Sequence, residues 1–191
     1  MSRRRALAFE GAGPRVVALG GGHGLAATLR ALRRVTDQIT AVVGVADDGG
    51  SSGRLREEFG VLPPGDLRMA LAALCGDDTW GRTWSQVVQH RFGGEGDLSG
   101  HSIGNLLICA LWEQTNDPVI GLDWVGALLE AQGRVLPCST APLQIIADVQ
   151  GLDPINPGHI AIVRGPVAVA NTPCTIVGIR IEPANAPVCA E

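Results

Sequence analysis

The sequence predicts an α/β fold, a Rossmann-like, doubly wound, mostly parallel sheet with a glycine-rich first βα turn. Three observations carry this. The apolar run Arg15–Leu19, of strand length, breaks into Gly20-Gly21-Gly22-His23-Gly24 and then into helical spacing at Leu25, Leu29 and Leu32. A second run, Ile39–Ala46, is apolar almost throughout, as in a parallel strand covered on both faces. The chain has 191 residues, 46% of them apolar and 18% charged, with a mean hydropathy of +0.20, which suits one packed domain and excludes disorder through low hydrophobicity.

In chain order, residues 1–14 have no apolar period and are expected to be a variable or disordered tail, leaving residues 15–191 as the domain. Strand, glycine turn, helix Leu25–Val35 and strand Ile39–Ala46 make an opening βαβ unit. Asp47 to Arg54 reads as a polar loop. Pro63-Pro64-Gly65 stops the chain before a helix Asp66–Cys75, with Asp66 as its cap. Thr83–Phe92, Ile103–Glu113 and Val119–Ala131 follow as helices. Beyond Gly133 the pattern turns to strands at Arg134–Leu136, Leu143–Val149, His159–Val163, Val167–Ala170 and Thr175–Ile181, with Gly165-Pro166 suggesting a hairpin. The last strand runs into Glu182-Pro183 with no helix to return it to the sheet, so the C-terminal part of the fold is expected to be incomplete.

Composition narrows the function classes. All 15 basic residues are Arg, and the formal charge is −4, without the basic footprint of a nucleic-acid binder. No apolar run reaches spanning length and no secretory leader is legible, so a cytoplasmic protein without membrane insertion is expected. The five cysteines are odd in number and widely spaced, as buried small hydrophobes rather than disulfides or zinc ligands.

The candidate site residues lie in four glycine-bearing segments. Gly22-His23-Gly24-Leu25-Ala26-Ala27 fits G-x-G-x-x-[GA] between a strand and a helix, where backbone amides can approach an anion. Asp47 and Asp48 end the second strand about 20 residues on, where dinucleotide folds place a ribose-binding acid. Gly50, Ser51, Ser52 and Arg54 follow them. These two carboxylates can take sugar hydroxyls or hold a divalent cation, and Arg54 or Arg56 can pair with phosphate. Asp66 and Arg68 stand at the mouth of one helix, and His101, Ser102 and Asn105 at the start of another. His101 suits either general acid–base work or a structural hydrogen bond. Arg134 to Thr140 ends a strand in hydroxyls at the edge where α/β proteins bind ligands.

Taken together, Gly20-Gly21-Gly22-His23-Gly24-Leu25, the segment Val45 to Arg56 with Asp-Asp-Gly-Gly-Ser-Ser-Gly at its centre, Leu62 to Arg68, Gly100 to Asn105 and Arg134 to Pro137 closely resemble the YvcK-type gluconeogenesis factor family. That family is related in fold to the CofD-type 2-phospho-L-lactate transferases of deazaflavin coenzyme synthesis. The resemblance covers about residues 15–191. It implies a bacterial cytoplasmic protein that binds a UDP-sugar, typically UDP-N-acetylglucosamine, and serves cell shape and wall synthesis on gluconeogenic carbon. His23 replaces the Thr frequent in the family, a change that keeps the amide. The family also continues past residue 191 into a further glycine-rich loop and helices, so the far wall of the ligand site is expected to be missing.

Two readings of function follow. In the first, a non-catalytic sensor, the amides of Gly21, Gly22, His23, Gly24 and Leu25, with Arg54, face the diphosphate. Asp47 and Asp48 take hydroxyls, Asn105 orients base or sugar, and Gly50, Ser51, Ser52, Asp66, Arg68 and His101 complete the site. The partners are then the UDP-sugar, a homo-oligomer and an unidentified cell-wall regulatory protein. The alternative is a phospholactate-type transferase in which Asp47 or Asp48 holds a divalent metal such as magnesium against the diphosphate. A third, bland reading is an interaction protein with a vestigial pocket.

Overall fold

In the computed structural model, which describes residues 13–190, the opening unit is the expected strand–turn–helix–strand. Strand β1 (Val16–Gly20) leads into helix α1 (Gly22–Leu32), and β2 (Ile39–Val43) pairs parallel to β1 from Val16↔Ile39 to Gly20↔Val43. Gly22 makes the break with φ of +57°, a left-handed conformation that costs a side-chain-bearing residue about 1–2 kcal/mol. The expected tail lies outside the described residues, apart from its last two.

Helices α2 (Gly50–Phe59), α3 (Pro64–Leu74), α4 (Thr79–Gln89), α5 (Ile103–Thr115) and α6 (Pro118–Leu128) follow before β3 (Arg134–Pro137) joins β2 in parallel. The resulting three-stranded sheet has the order β1-β2-β3. Its inward face, Ala18, Ala41, Val43 and Val135, is buried with Leu25 and Leu29 of α1 and Leu67, Leu71 and Leu74 of α3 in one core. Trp112 of α5 donates to the Pro118 carbonyl (2.9 Å) and packs where Gly121 leaves room, locking α5 to α6.

Two expectations about local structure are corrected. The Asp47–Arg54 segment is not a loop throughout: α2 begins at Gly50, although Gly-Ser-Ser-Gly is a poor helix former. Burial of Ser51, Ser52 and Leu55 against the body of the protein overrides that propensity. Asp66 is not the cap of its helix, because α3 starts two residues earlier with Pro64 in the first turn, a position where its missing amide hydrogen costs nothing.

The C-terminal strands do not extend the parallel sheet. Strands β4 (Gln144–Gln150), β5 (Ile160–Arg164) and β6 (Thr175–Glu182) form a separate antiparallel sheet of order β5-β4-β6. The expected strand at 167–170 is instead the short helix α7 (Pro166–Asn171), and no hairpin joins the flanking strands, which lie on opposite edges of β4. Pro166 removes a ladder donor and is preorganised for the first helical turn, so the segment coils where alternation alone suggested extension. The Cys138 amide donates to the Val43 carbonyl (2.8 Å) and the Leu143 amide to Val45 (3.1 Å), tying the segment that leads into β4 to the end of β2.

All five cysteines are free thiols. Cys75 and Cys109 are buried, and burial pushes their thiols up to about 11 and about 12. They are inert at neutral pH, consistent with their expected packing role.

Leu29 and Leu19 separate burial from composition: the first is fully enclosed and the second is 76% exposed on the other face of β1. Leu29→Ala is expected to lower unfolding free energy by about 2–5 kcal/mol in urea titration, and Leu19→Ala by no more than about 0.5.

Candidate functional site

Helices α1, α2, α3 and α5 all start beside the carboxyl ends of β1 and β2, and their N-termini converge. The contacts that bring them together are specific. The Gly22 amide at the start of α1 donates to the Asp66 carboxylate in the first turn of α3. Gly65 of α3 packs on Ser52 of α2 and on the Asp47 carboxylate so closely that a β-carbon there would meet both. Ser51 of α2 is hydrogen-bonded to His101 (3.0 Å) just ahead of α5. Each N-terminus carries unpaired amides and the positive end of a helix dipole, so their convergence makes a region suited to an anion.

A buried chain of hydrogen bonds crosses this region. Arg68 Nε donates to Asn105 Oδ1 (2.9 Å), Asn105 Nδ2 donates to Ser51 Oγ (2.9 Å), and Ser51 stands 3.0 Å from His101 Nδ1. A guanidinium can only donate, which fixes the Asn105 amide orientation, and Ser51 as acceptor from Asn105 is then free to donate its own proton to Nδ1. That arrangement suits a neutral His101 with its proton on Nε2. Burial, with Arg54 and more weakly Arg91, holds the imidazole below its ordinary pKa and so keeps this neutral form. Asn105 is 0% exposed and both of its amide atoms are engaged within the protein. Ser102 caps α5, accepting from the Asn105 amide.

The remaining candidates fall into place around it. Asp66 does satisfy a helix amide, but that of α1 rather than of α3; burial first, and then Asp47, raise its carboxyl above the ordinary value against the pull of the Gly22 hydrogen bond. Asp47 Oδ1 accepts from the Gly49 amide (3.0 Å), while Asp48 turns the other way, its carboxylate against Gly165 at the start of α7. These neighbouring carboxylates diverge and do not fit a shared chelate, and among the described residues no group of three or more His, Cys, Asp or Glu is arranged to hold a metal. His23 and Gly24 are exposed, and the Leu25 side chain is in the core, leaving its backbone to the site. Gly50, at φ of +49°, opens α2. Arg54 donates to the Ser99 carbonyl (2.6 Å) and Arg56 to that of Leu143 (2.7 Å). Ser139, at the end of β3, is buried and donates to the chain's own Pro187 carbonyl (2.7 Å), so that hydroxyl is already committed.

A cleft of about 600 Å³ lies on the outer side of α2, bordered by Asp48, Arg54, Arg56, Glu57 and Gln144. It shares Asp48 and Arg54 with the converging helix starts but not Asp66, Arg68 or His101. The buried polar groups are concentrated at the helix starts, which are therefore the stronger site. Sequence reasoning missed Arg91, which donates to the Gly100 carbonyl (2.7 Å) and borders His101; it stands in no motif, and only the Arg91–Ser102 bridge brings it in.

Fold and site define the class: a Rossmann-like α/β protein with a polar, helix-terminated site at the carboxyl edge of its parallel sheet. Residues 16–191 match the family model described as 2-phospho-L-lactate transferase CofD, and the chain belongs to that family. Within it, the chain is 56% identical over 177 residues to the "Putative gluconeogenesis factor" of Mycobacterium leprae, covering 93% of this chain and 49% of that protein. It is 42% identical over 137 residues to the "Gluconeogenesis factor" of Listeria monocytogenes, covering 72% and 42%. A crystal structure of a member of the UPF0052 family from Bacillus halodurans superposes with a TM-score of 0.80 at 34% identity, covering 93% of this chain and 54% of that one. The chain thus spans about half the length of the relatives it matches most fully.

Asn105→Ala is expected to cost about 2–4 kcal/mol in chemical denaturation, since it strands the buried Arg68 Nε and takes from Ser51 one of its two partners. Asp66→Asn, which can still accept from Gly22, is expected to raise the melting temperature at neutral pH. A raised carboxyl pKa means that the native state holds the proton more tightly than the unfolded chain, so the ionised group weakens the fold as pH rises. The gap between variant and wild type is expected to close as pH falls through the raised pKa towards the ordinary carboxyl value of 3.8. A pH series of thermal melts checks it.

Proposed function

We propose that this chain binds a nucleotide sugar, with UDP-N-acetylglucosamine the first candidate, and acts as a regulatory sensor of the gluconeogenesis-factor type rather than as a catalyst. The observation that carries the reading is the meeting of four helix N-termini around the cationic Arg68 at the edge where open α/β sheets bind ligands. Diphosphate chemistry suits the helix dipoles and arginines, and sugar or ribose hydroxyls suit Asp47 and Asp66. The names of the relatives support a role in gluconeogenesis, and the proposal extends that role to wall synthesis and cell shape. A sensor of this kind acts in the bacterial cytoplasm by presenting its ligand-bound form to a protein partner or to a second copy. Among the described residues no helix is long and apolar enough to cross a membrane.

The family description names a transferase, and that reading remains the natural rival. It needs a metal held against the diphosphate, and the diverging Asp47 and Asp48 carboxylates are poorly placed to share one.

Thermal shift against a panel of nucleotide sugars tests the proposal. A ligand at about 100 times its dissociation constant is expected to add about 2.7 kcal/mol of stability. A flat panel overturns the binding reading, and release of UDP or free sugar during incubation overturns the non-catalytic one.

A further inference from the structure

Charge is spread unevenly across the converging helix starts. At the α1 end the Gly22 amide already has an anion, the Asp66 carboxylate, with Asp47 close enough to oppose its ionisation. At the α5 end two guanidinium groups, Arg54 and Arg91, act on His101, and Arg68 reaches it through Asn105 and Ser51. Arg54 donates to the Ser99 carbonyl and Arg91 to that of Gly100, and Arg68 lies in front of α5 with its stem against Gly104. None of the three forms an ion pair among the described residues. Glu58 is the carboxylate that reaches His101 electrostatically, and it is exposed.

Arg68 is the decisive member. It is 4% exposed, and only its Nε has a protein acceptor. Its two terminal nitrogens donate to nothing among the described residues, and they are not among the sealed polar atoms that lack a partner, so they open to solvent at the site. A cation this far from water is costly unless something pairs with it. Arg91, exposed and close by, adds to that cost by like-charge repulsion, and burial first and then Arg91 push the Arg68 guanidinium down to about 10 against the opposing pull of the Asp66 carboxylate. Two donors in a fixed fork, aimed outward beside a second guanidinium and a helix N-terminus, match the oxygens of a phosphate.

We infer that the anion seat of this site is the Arg68–Arg91–Arg54 group at the start of α5 and not the glycine turn of α1. The phosphates of a diphosphate ligand lie against these arginines, and the ligand's hydroxyls face Asp66 and Asp47 on the α1 side, where Asp66 is also the carboxylate that acts on Arg68. This orientation rests on the nucleotide-sugar reading for its hydroxyl end only. The glycine turn is closed to phosphate by the Asp66 carboxylate, which occupies its amide and would repel a second anion.

Calorimetric titration of the 191-residue chain at low ionic strength with inorganic pyrophosphate and with UDP-N-acetylglucosamine tests this. Arg91→Ala and Arg54→Ala remove exposed side chains that bond only backbone carbonyls, and an unchanged melt confirms that each variant is folded. Each is expected to weaken both ligands about tenfold, the loss of roughly one charge-assisted contact. Asp66→Asn is expected to weaken UDP-N-acetylglucosamine while changing pyrophosphate less than threefold. Pyrophosphate binding indifferent to both arginines, or strengthened tenfold or more by Asp66→Asn, places the anion at α1 and overturns the inference. Arginine-dependent pyrophosphate binding with no tighter binding of the nucleotide sugar keeps the seat and removes the nucleotide-sugar reading. Nucleotide-sugar binding that ignores the arginines does the reverse, and no binding of either ligand overturns both.

Discussion

The hydrogen bond from Arg68 to Asn105 is the constraint on which the site depends. It joins α3 to α5, it fixes which end of the Asn105 amide faces Ser51, and through Ser51 it joins α2 and reaches His101. Each member is buried, so each needs its partner, and a buried polar chain of this kind specifies one arrangement of the helices that meet there. Gly104 belongs to the same constraint. A β-carbon there would lie 2.7 Å from the Arg68 stem and 2.6 Å from the Val88 carbonyl, so α5 approaches α3 and α4 at a distance only glycine permits.

That constraint makes the site asymmetric. The helix starts share one electrostatic sense, yet the Gly22 amide of α1 is taken by Asp66, whereas α5 is bordered by Arg54 and Arg91, which form no ion pair among the described residues. An uneven distribution of charge orients a polar ligand before any close contact forms. It also divides the labour of the conspicuous Asp-Asp pair. Asp47 turns toward the helix starts and Asp48 toward α7 and the antiparallel sheet, so the two adjacent acids serve different neighbourhoods.

Much of this was legible in the sequence at the level of elements. The Gly20–Gly24 break, the apolar run of β2 and the starts of α5, α6 and β3 are local signals, and the structure follows them closely. The glycine-bearing segments are also the ones the structure brings together, because close backbone approach leaves a mark in composition. Local signals failed where a distant contact decided the outcome. Gly-Ser-Ser-Gly became the first turn of α2 because Ser51 and Ser52 are buried against α3 and α5, and Asp66 bonded the amide of another helix rather than its own. Residues 167–170 alternate like a strand, but both edges of β4 were taken by β5 and β6, and Pro166 started a helix.

The sequence by itself determined the parallel βαβ opening, the family and the segments that converge at the sheet edge, since apolar period, glycine placement and motif order are written along the chain. Tertiary structure alone decided that the C-terminal strands form their own antiparallel sheet, that Asn105 works inside the protein, and that Arg91 comes beside Arg54 at His101 and beside Arg68. Pairing partners, burial and the balance of charge are properties of groups far apart in the chain, and they acquire values only when packing brings those groups together.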